Sequence, residues 1–231
     1  SKDSIKMSTR GTATEGLDMS NLINYINVPS YIDIKKMMTR MNIRGSKNLL
    51  AVRGELVISK KLFKSNWSST MKNSRNTVSG LVNSKTINPN IANDTDFIVY
   101  ELVDPNYSIL DQFNYLKKLK FKTVNYIETN KMDYDILSAN LKKRRETSEY
   151  DIDGIVVYNN DLHQKNTSGN PKYAFAFKDI LEDQKAVTEI VDIEWNVSKD
   201  GYINPTVIIK PVTIGGVRIE RVTAYNAKFV V

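Results

Sequence analysis

Cysteine is absent from the 231 residues, and histidine occurs once, at His163. Without thiols there are no disulfides and no thiolate metal centre, which fits a reducing compartment or a chain with no use for cysteine. One imidazole all but excludes a zinc site or a Ser-His-Asp triad, and His163 reads as a loop residue. No window approaches the roughly 18 apolar residues of a membrane span. No charged-then-apolar leader pattern opens the chain, and there are no repeats or low-complexity linkers. Sequon matches at Asn66, Asn166 and Asn196 are chance readings in a chain rich in Asn and Ser.

What is present is a modest core and an excess of positive charge. Hydrophobic residues make up 41%, enough for a core in one large domain, or one plus part of another. Thirty-three Lys and Arg against 26 acids give +7, compatible with a polyanion partner without requiring one. The cations cluster at Lys35-Lys36 to Arg44, Lys60-Lys61 to Arg75, and Lys142-Lys143-Arg144-Arg145. The last run sits at the end of a helical pattern, Met132–Ser148, with Tyr134, Ile136, Leu137 and Leu141 as its buried face. It reads as a solvated helix end that also suits the helix dipole.

Periodicity predicts helices over Leu17–Ile26, Ile32–Met41, Ser59–Trp67 and Ile109–Leu119, with Lys72–Asp94 as loop or short helix. Strands are predicted at Leu49–Ile58, Asp96–Leu102 and Thr123–Ile127, and in the runs around Asp153 and Lys178. After about residue 184 the pattern becomes all β: Val187–Trp195, Ile203–Lys210 and Val217–Thr223, separated by Lys199-Asp200-Gly201 and Gly215-Gly216. Three strands make the first part of a small barrel. Both ends of the chain read as cut.

Three strand-like runs carry charges that an apolar core would reject. Asp153 opens Asp153-Gly154-Ile155-Val156-Val157, Lys178 closes Tyr173-Ala174-Phe175-Ala176-Phe177-Lys178, and Glu55 interrupts Val52-Arg53-Gly54-Glu55-Leu56-Val57. Buried charge is costly unless a partner or ligand compensates it. One such residue is ordinarily an edge-strand charge leaning into solvent; three together predict a site lined by two carboxylates and a lysine.

In order along the chain, these motifs resemble those of the NAD-dependent DNA ligases, in the covalent nucleotidyltransferase superfamily. Thr9-Arg10-Gly11-Thr12-Ala13-Thr14-Glu15-Gly16 is similar to the threonine-arginine-glycine loop, and Val52-Arg53-Gly54-Glu55 to motif III. Asn73-Ser74-Arg75-Asn76 is similar to the Asn-Pro-Arg-Asn segment, with Ser for Pro. Asp151-Ile152-Asp153-Gly154-Ile155-Val156-Val157 resembles motif IV, and Pro171–Lys178 resembles motif V. Trp195–Pro205 resembles the opening of the family's OB domain.

The resemblance implies an α+β nucleotidyltransferase (ATP-grasp-like DNA ligase) domain with antiparallel sheets over 1–184, and the first part of an OB-fold barrel over 185–231. It implies an enzyme that seals nicks in duplex DNA, using NAD as AMP donor and Mg²⁺. A lysine takes AMP, AMP passes to the 5′-phosphate, and the 3′-hydroxyl displaces it. By resemblance Lys178, Asp153 and Glu55 are the catalytic set, with Lys178 the cation on the phosphate. Arg10 and Glu55 hold the ribose side of AMP, and Asp153 holds metal or the reacting group. Arg75 and Lys199 contact DNA.

Departures from the pattern matter equally. Lys-x-Asp-Gly, the nucleophile motif, is absent, so that lysine is expected on an upstream segment or a second chain. Tyr158 stands where motif IV ends in lysine, and Asn83 replaces a second DNA-binding arginine, for which Lys85 compensates. The pared-down architecture points to a cytoplasmic or viral protein acting in a host cell, with no membrane partner. The alternatives are an ATP-dependent DNA or RNA ligase, and a non-catalytic nucleic-acid-binding subunit.

Overall fold

Polar caps and short apolar stripes set the elements of the computed structural model, which describes residues 4–11, 15–46, 49–165, 169–179, 185–214 and 217–230. The chain divides into two units, Ser1–Lys178 and Asp179–Val231. The expected boundary after 184 falls beside residues 180–184, which lie outside the described set.

In the first unit, helix α1 (Tyr31–Arg40) starts where the Ser30 hydroxyl accepts from the Asp33 N–H. Ser59 does the same for α2 (Lys60–Leu62), which continues as a π-turn over Phe63–Trp67. Asn73 caps α3 (Ser74–Asn83), and Asn88, followed by Pro89, caps α4 (Pro89–Asn93). Ser108 caps α5 (Ile109–Lys118), and Asp133 caps α6 (Tyr134–Thr147). Each cap satisfies an N–H that the first helical turn cannot.

Strands β1 (Ala51–Ile58) and β2 (Thr95–Asp104) pair antiparallel. Tyr100 and Val103 are extra residues on β2, because Arg53 faces Glu101 while Gly54 faces Val99, and Ala51 faces Asp104 while Val52 faces Leu102. Such bulges bend the strand and re-aim its side chains. Gly54 is required here: a Cβ would lie 2.5 Å from the Ile98 carbonyl oxygen. One core forms where Ile58 meets Leu22, Val78, Leu81, Ile91 and Ala92; a second joins Val99 and Leu102 to Phe113 and Leu116 of α5. Strands β3 (Ile155–Tyr158) and β4 (Ala174–Phe177) form a separate antiparallel pair.

Three expectations are corrected. Leu17–Ile26 is not an α-helix but a 3₁₀ turn over Ser20–Asn24. The reason lies upstream, where Thr9 N–H bonds Leu17 O and Met19 N–H bonds Met7 O, fixing the segment as a narrow hairpin. Thr123–Ile127 is not a strand; only Thr123 bridges Val99, in parallel, and Tyr126 instead stacks on Phe113. Tyr134, assigned to the buried face of α6, is 62% exposed, whereas Leu141 is fully buried.

In the second unit β5 (Ile190–Val197), β6 (Ile203–Ile214) and β7 (Val217–Thr223) make one antiparallel sheet in sequential order, consistent with part of an OB-fold. The Ser198–Tyr202 turn uses Gly201 at φ +82, where only glycine sits without strain. The expected Gly215-Gly216 turn lies outside the described residues. Among the described residues no helix is long and apolar enough to cross a membrane.

Candidate active site

The residues around Asp153 are tied down by four elements. The Lys60 N–H donates to Glu149 O at the start of α2. Tyr150 OH donates to Asp96 of β2 at 2.7 Å, and Ser74 at the start of α3 donates to Asp151 at 3.2 Å. From the last turn of α6, Arg145 donates to the carbonyls of Ile152 and Asp153. The loop entering β3 is thereby fixed before it supplies a functional group, which is the preorganisation an active site needs.

Asp153 and Lys178 meet. Lys178 Nζ lies 2.7 Å from Asp153 Oδ2. Antiparallel pairing of Ile155 with Phe177 accounts for this, since it sets the residues flanking the two strands side by side. Gly154 permits the approach, for a Cβ there would lie 2.7 Å from Phe177 O and 2.8 Å from the Lys178 stem. The hydrogen bond from Lys178 holds the Asp153 carboxyl below the ordinary carboxylate range, and the Arg75 charge pulls the same way. The charge of Arg75, read from sequence as a DNA contact, therefore reaches this pair.

The expectation of charges pressed into apolar strands is corrected. The Lys178 and Asp153 side chains are 62% and 71% exposed, and Glu55 is also exposed. Asp153 lies two residues before β3 and Lys178 one residue after β4, so both stand at the open end of a two-stranded sheet. Glu55 points from the outward face of β1, opposite Ile98.

A second cluster gathers at Tyr100. Burial pushes its hydroxyl up, and the charges acting on it are Arg53, Glu101, Glu55 and Arg10. Arg10 and Glu55 thus share this neighbourhood, the former in a loop closed by the Leu17 N–H on Thr9 Oγ1. Residues 12–14 of that loop lie outside the described set. Burial also pushes Tyr158 up, with Glu101, Tyr100, Tyr173 and Arg53 as its neighbours. Glu101 bonds Arg53 at 2.5 Å and Lys165 at 3.1 Å. Burial lowers the Lys165 ammonium, partly offset by Glu101. From Asp153 to Tyr158 is five residues of extended chain, roughly 16 Å, so the two clusters mark opposite ends of β3.

The remaining residues read from sequence lie on other elements. Lys85 lies beyond the far end of α3, whose last residue is roughly 12 Å of helix rise from Arg75. Lys199 is exposed at the β5–β6 hairpin tip in the second unit. His163 is in a loop, stacked on Tyr173 at 4.4 Å. Sequence reasoning missed Tyr100, hidden in a strand pattern, and Arg145, hidden in a charge run; its spacing eight residues before Asp153 carries no signal by itself. It also missed Asp96, Lys122 and Tyr150. Lys122 reaches Asp96 at 3.2 Å and lies over the Tyr150 ring, while burial and the bond to Asp96 push the phenol up to about 12.

Among the described residues no three carboxylates or imidazoles converge on a metal position. The donor set near Asp153 therefore suits only an ion that brings its own waters and phosphate oxygens, as Mg²⁺ does. The arrangement offers cations and one carboxylate at an open strand end, fitted to phosphate chemistry.

Residues 3–180 match the family model described as the NAD-dependent DNA ligase adenylation domain. The chain is 38% identical to a DNA ligase of Acanthamoeba polyphaga mimivirus over 98% of its own length and 34% of that protein's. It is 30% identical to DNA ligase 1 of Clostridium acetobutylicum, over 96% of the chain and 34% of the relative. It spans about a third of the length of the curated relatives it matches. With the family model covering most of its residues, the chain belongs to the NAD-dependent DNA ligase adenylation-domain family.

Proposed function

We propose that this chain is the nucleotide-handling body of an NAD-dependent DNA ligase, which joins nicked duplex DNA by way of an enzyme-bound AMP and an adenylated 5′-phosphate. The observation that carries the reading is the 2.7 Å pair of Lys178 and Asp153, held at the mouth of β3 within reach of the Arg75 charge. Lys178 supplies positive charge to phosphate oxygens as charge builds on them, and Asp153 sets the Lys178 ammonium in place. Glu55 and Arg10, near Tyr100, take the nucleoside end of AMP.

Asp153 would hold Mg²⁺, which supplies charge neutralisation to the phosphates when bound. Residues 1–184 form the adenylation domain, and 185–231 open the OB domain. Arg75, Lys85 and Lys199 contact DNA phosphates. The nucleophilic lysine comes from a segment outside these 231 residues or from a second chain. The similarity to DNA ligases of mimivirus and Clostridium supports a ligase acting where DNA is handled inside a cell.

The test is enzyme-AMP formation from labelled NAD by the full ligase. Lys178→Ala should slow it at least ~100-fold, the scale of losing one fixed charge contact in a transition state, and Lys178→Arg should recover little of it. ATP should not replace NAD. Near-normal labelling by Lys178→Ala would remove Lys178 from the chemistry, and efficient labelling from ATP would favour the ATP-dependent reading.

A further inference from the structure

Helix α1 presents a basic face that the nucleotide site does not use. Successive residues turn by about 100° around a helix, which sets Tyr31, Ile32, Lys35, Lys36, Thr39 and Arg40 on one side. Those six residues line a shallow open groove of about 470 Å³. The opposite side carries Ile34, Met37 and Met38, all partly buried. The helix is therefore seated by its apolar side, with the cationic side turned out.

Its one acid does not neutralise that side. Asp33 accepts from the Ser30 hydroxyl at 2.7 Å, and its own N–H donates to Ser30, so it is engaged in capping the first turn. Lys35 lies over the Tyr31 ring at 5.5 Å, and Thr39 turns its hydroxyl back to Lys35 O. The ion pairs among the described residues lie elsewhere, away from Lys36, Arg40 and Arg44. Arg44 is exposed just beyond the helix. Over residues 31–44 there are four cations, Lys35, Lys36, Arg40 and Arg44, and one carboxylate, Asp33.

We infer that this face of α1 is a phosphate-backbone contact for duplex DNA, separate from the Asp153–Lys178 site. From Lys36 to Arg40 the helix rises about 6 Å, close to two base steps of one strand at roughly 3.4 Å each. Two side chains can thus meet phosphates two steps apart on one strand without bending the helix. Long flexible cations beside an aromatic ring suit backbone contact that positions without reading sequence. The exposed Ile32 adds apolar surface against sugar carbons. The inference rests on DNA being the partner proposed above.

The test measures binding of the full ligase to a nicked duplex as a function of salt. Lys36→Gln with Arg40→Gln removes two charges from exposed helical positions and should leave helicity and AMP labelling from NAD unchanged. The slope of log affinity against log salt should fall by about 1.8, roughly 0.9 per lost phosphate. Lys142→Gln with Lys143→Gln, two exposed cations on α6, removes the same charge and should leave the slope as it was. Equal falls in both variants would reduce the effect to net charge and overturn the inference. No fall in the first would give the face to an acidic protein or to solvent, and overturn it too. A parent ligase that does not bind the nicked duplex would instead sink the DNA reading itself.

Discussion

Gly154 shows how one missing side chain sets the chemistry of two others. Any larger residue would collide with Phe177 O and the Lys178 stem, so the Asp153–Lys178 pair depends on it as much as on the charges. That pair also fixes a pH response. Because the folded Asp153 carboxyl sits below its ordinary value, the stabilisation it lends is complete above that ordinary value. It is lost as pH falls through the lowered one. An NMR titration of the Asp153 carboxyl should give a midpoint below 3.8 in the parent chain. In Lys178→Ala it should return towards 3.8, since the largest cause of the shift is then gone. A midpoint unmoved by the substitution would show that Lys178 is not the group holding it.

Helix α6 reads from sequence as an amphipathic element with a solvated, basic end, and the structure departs from that reading at Tyr134 on the apolar face and at Arg145 on the basic end. Its apolar seat is Leu141 with the partly buried Ile136 and Leu137, while Tyr134 is exposed and meets Phe177 edge-on at 5.7 Å. Its basic end divides, since Lys142 and Lys143 are exposed while Arg145 turns in to the Ile152 and Asp153 carbonyls. Arg145→Ala should therefore cost about 1–3 kcal/mol in denaturant unfolding, the range for a charged donor lost from partly buried acceptors. Arg145→Lys should recover only part of that, having no planar fork. A change within a few tenths would return Arg145 to the solvated end. Helices α1, α2, α5 and α6 were legible because Ser30, Ser59, Ser108 and Asp133 precede periodic runs, and β1, β2, β3 and β4 because each is a short apolar run, whereas α3 and α4 fall in the polar stretch Lys72–Asp94, read as loop or short helix. What stayed illegible depended on partners elsewhere in the chain: the Thr9–Leu17 and Met7–Met19 bonds that replace a helix, and the reach of the Arg75 charge to Asp153. Motif order singled out the candidate residues, but exposure could not be read from apolar neighbours, because a two-stranded sheet leaves one face open.

The two units differ in how much apolar surface they keep from water. The first encloses two clusters with residues such as Leu22, Leu102 and Leu116 fully buried. The second exposes Ile190, Val191, Trp195, Val197, Tyr202 and Ile203 on a three-stranded sheet. A small sheet with so little enclosed apolar area is marginal by itself. The chain carries two tryptophans, one in each unit, Trp67 and Trp195. Trp67 packs on the first core and donates to Asp94 at 2.8 Å, while Trp195 is 48% exposed. Fluorescence of Trp195→Phe should then follow unfolding of the first unit, and that of Trp67→Phe the second. The second should melt at lower denaturant. Coincident curves would mean the two units unfold as one.

The two bulges on β2 give length variation an address. Tyr100 and Val103 are the residues that β1 does not pair, so losing either one leaves every remaining partner where it is. Loss of Val99 instead puts Tyr100 opposite Gly54 in a slot that is fully buried, and loss of Glu101 puts it opposite Arg53 without the carboxylate that Arg53 and Lys165 bond. Single-residue gaps in kindred chains should collect at those two positions and avoid their neighbours, and a chain lacking Tyr100 would keep its strands while losing the phenol around which Arg10, Arg53, Glu55 and Glu101 gather.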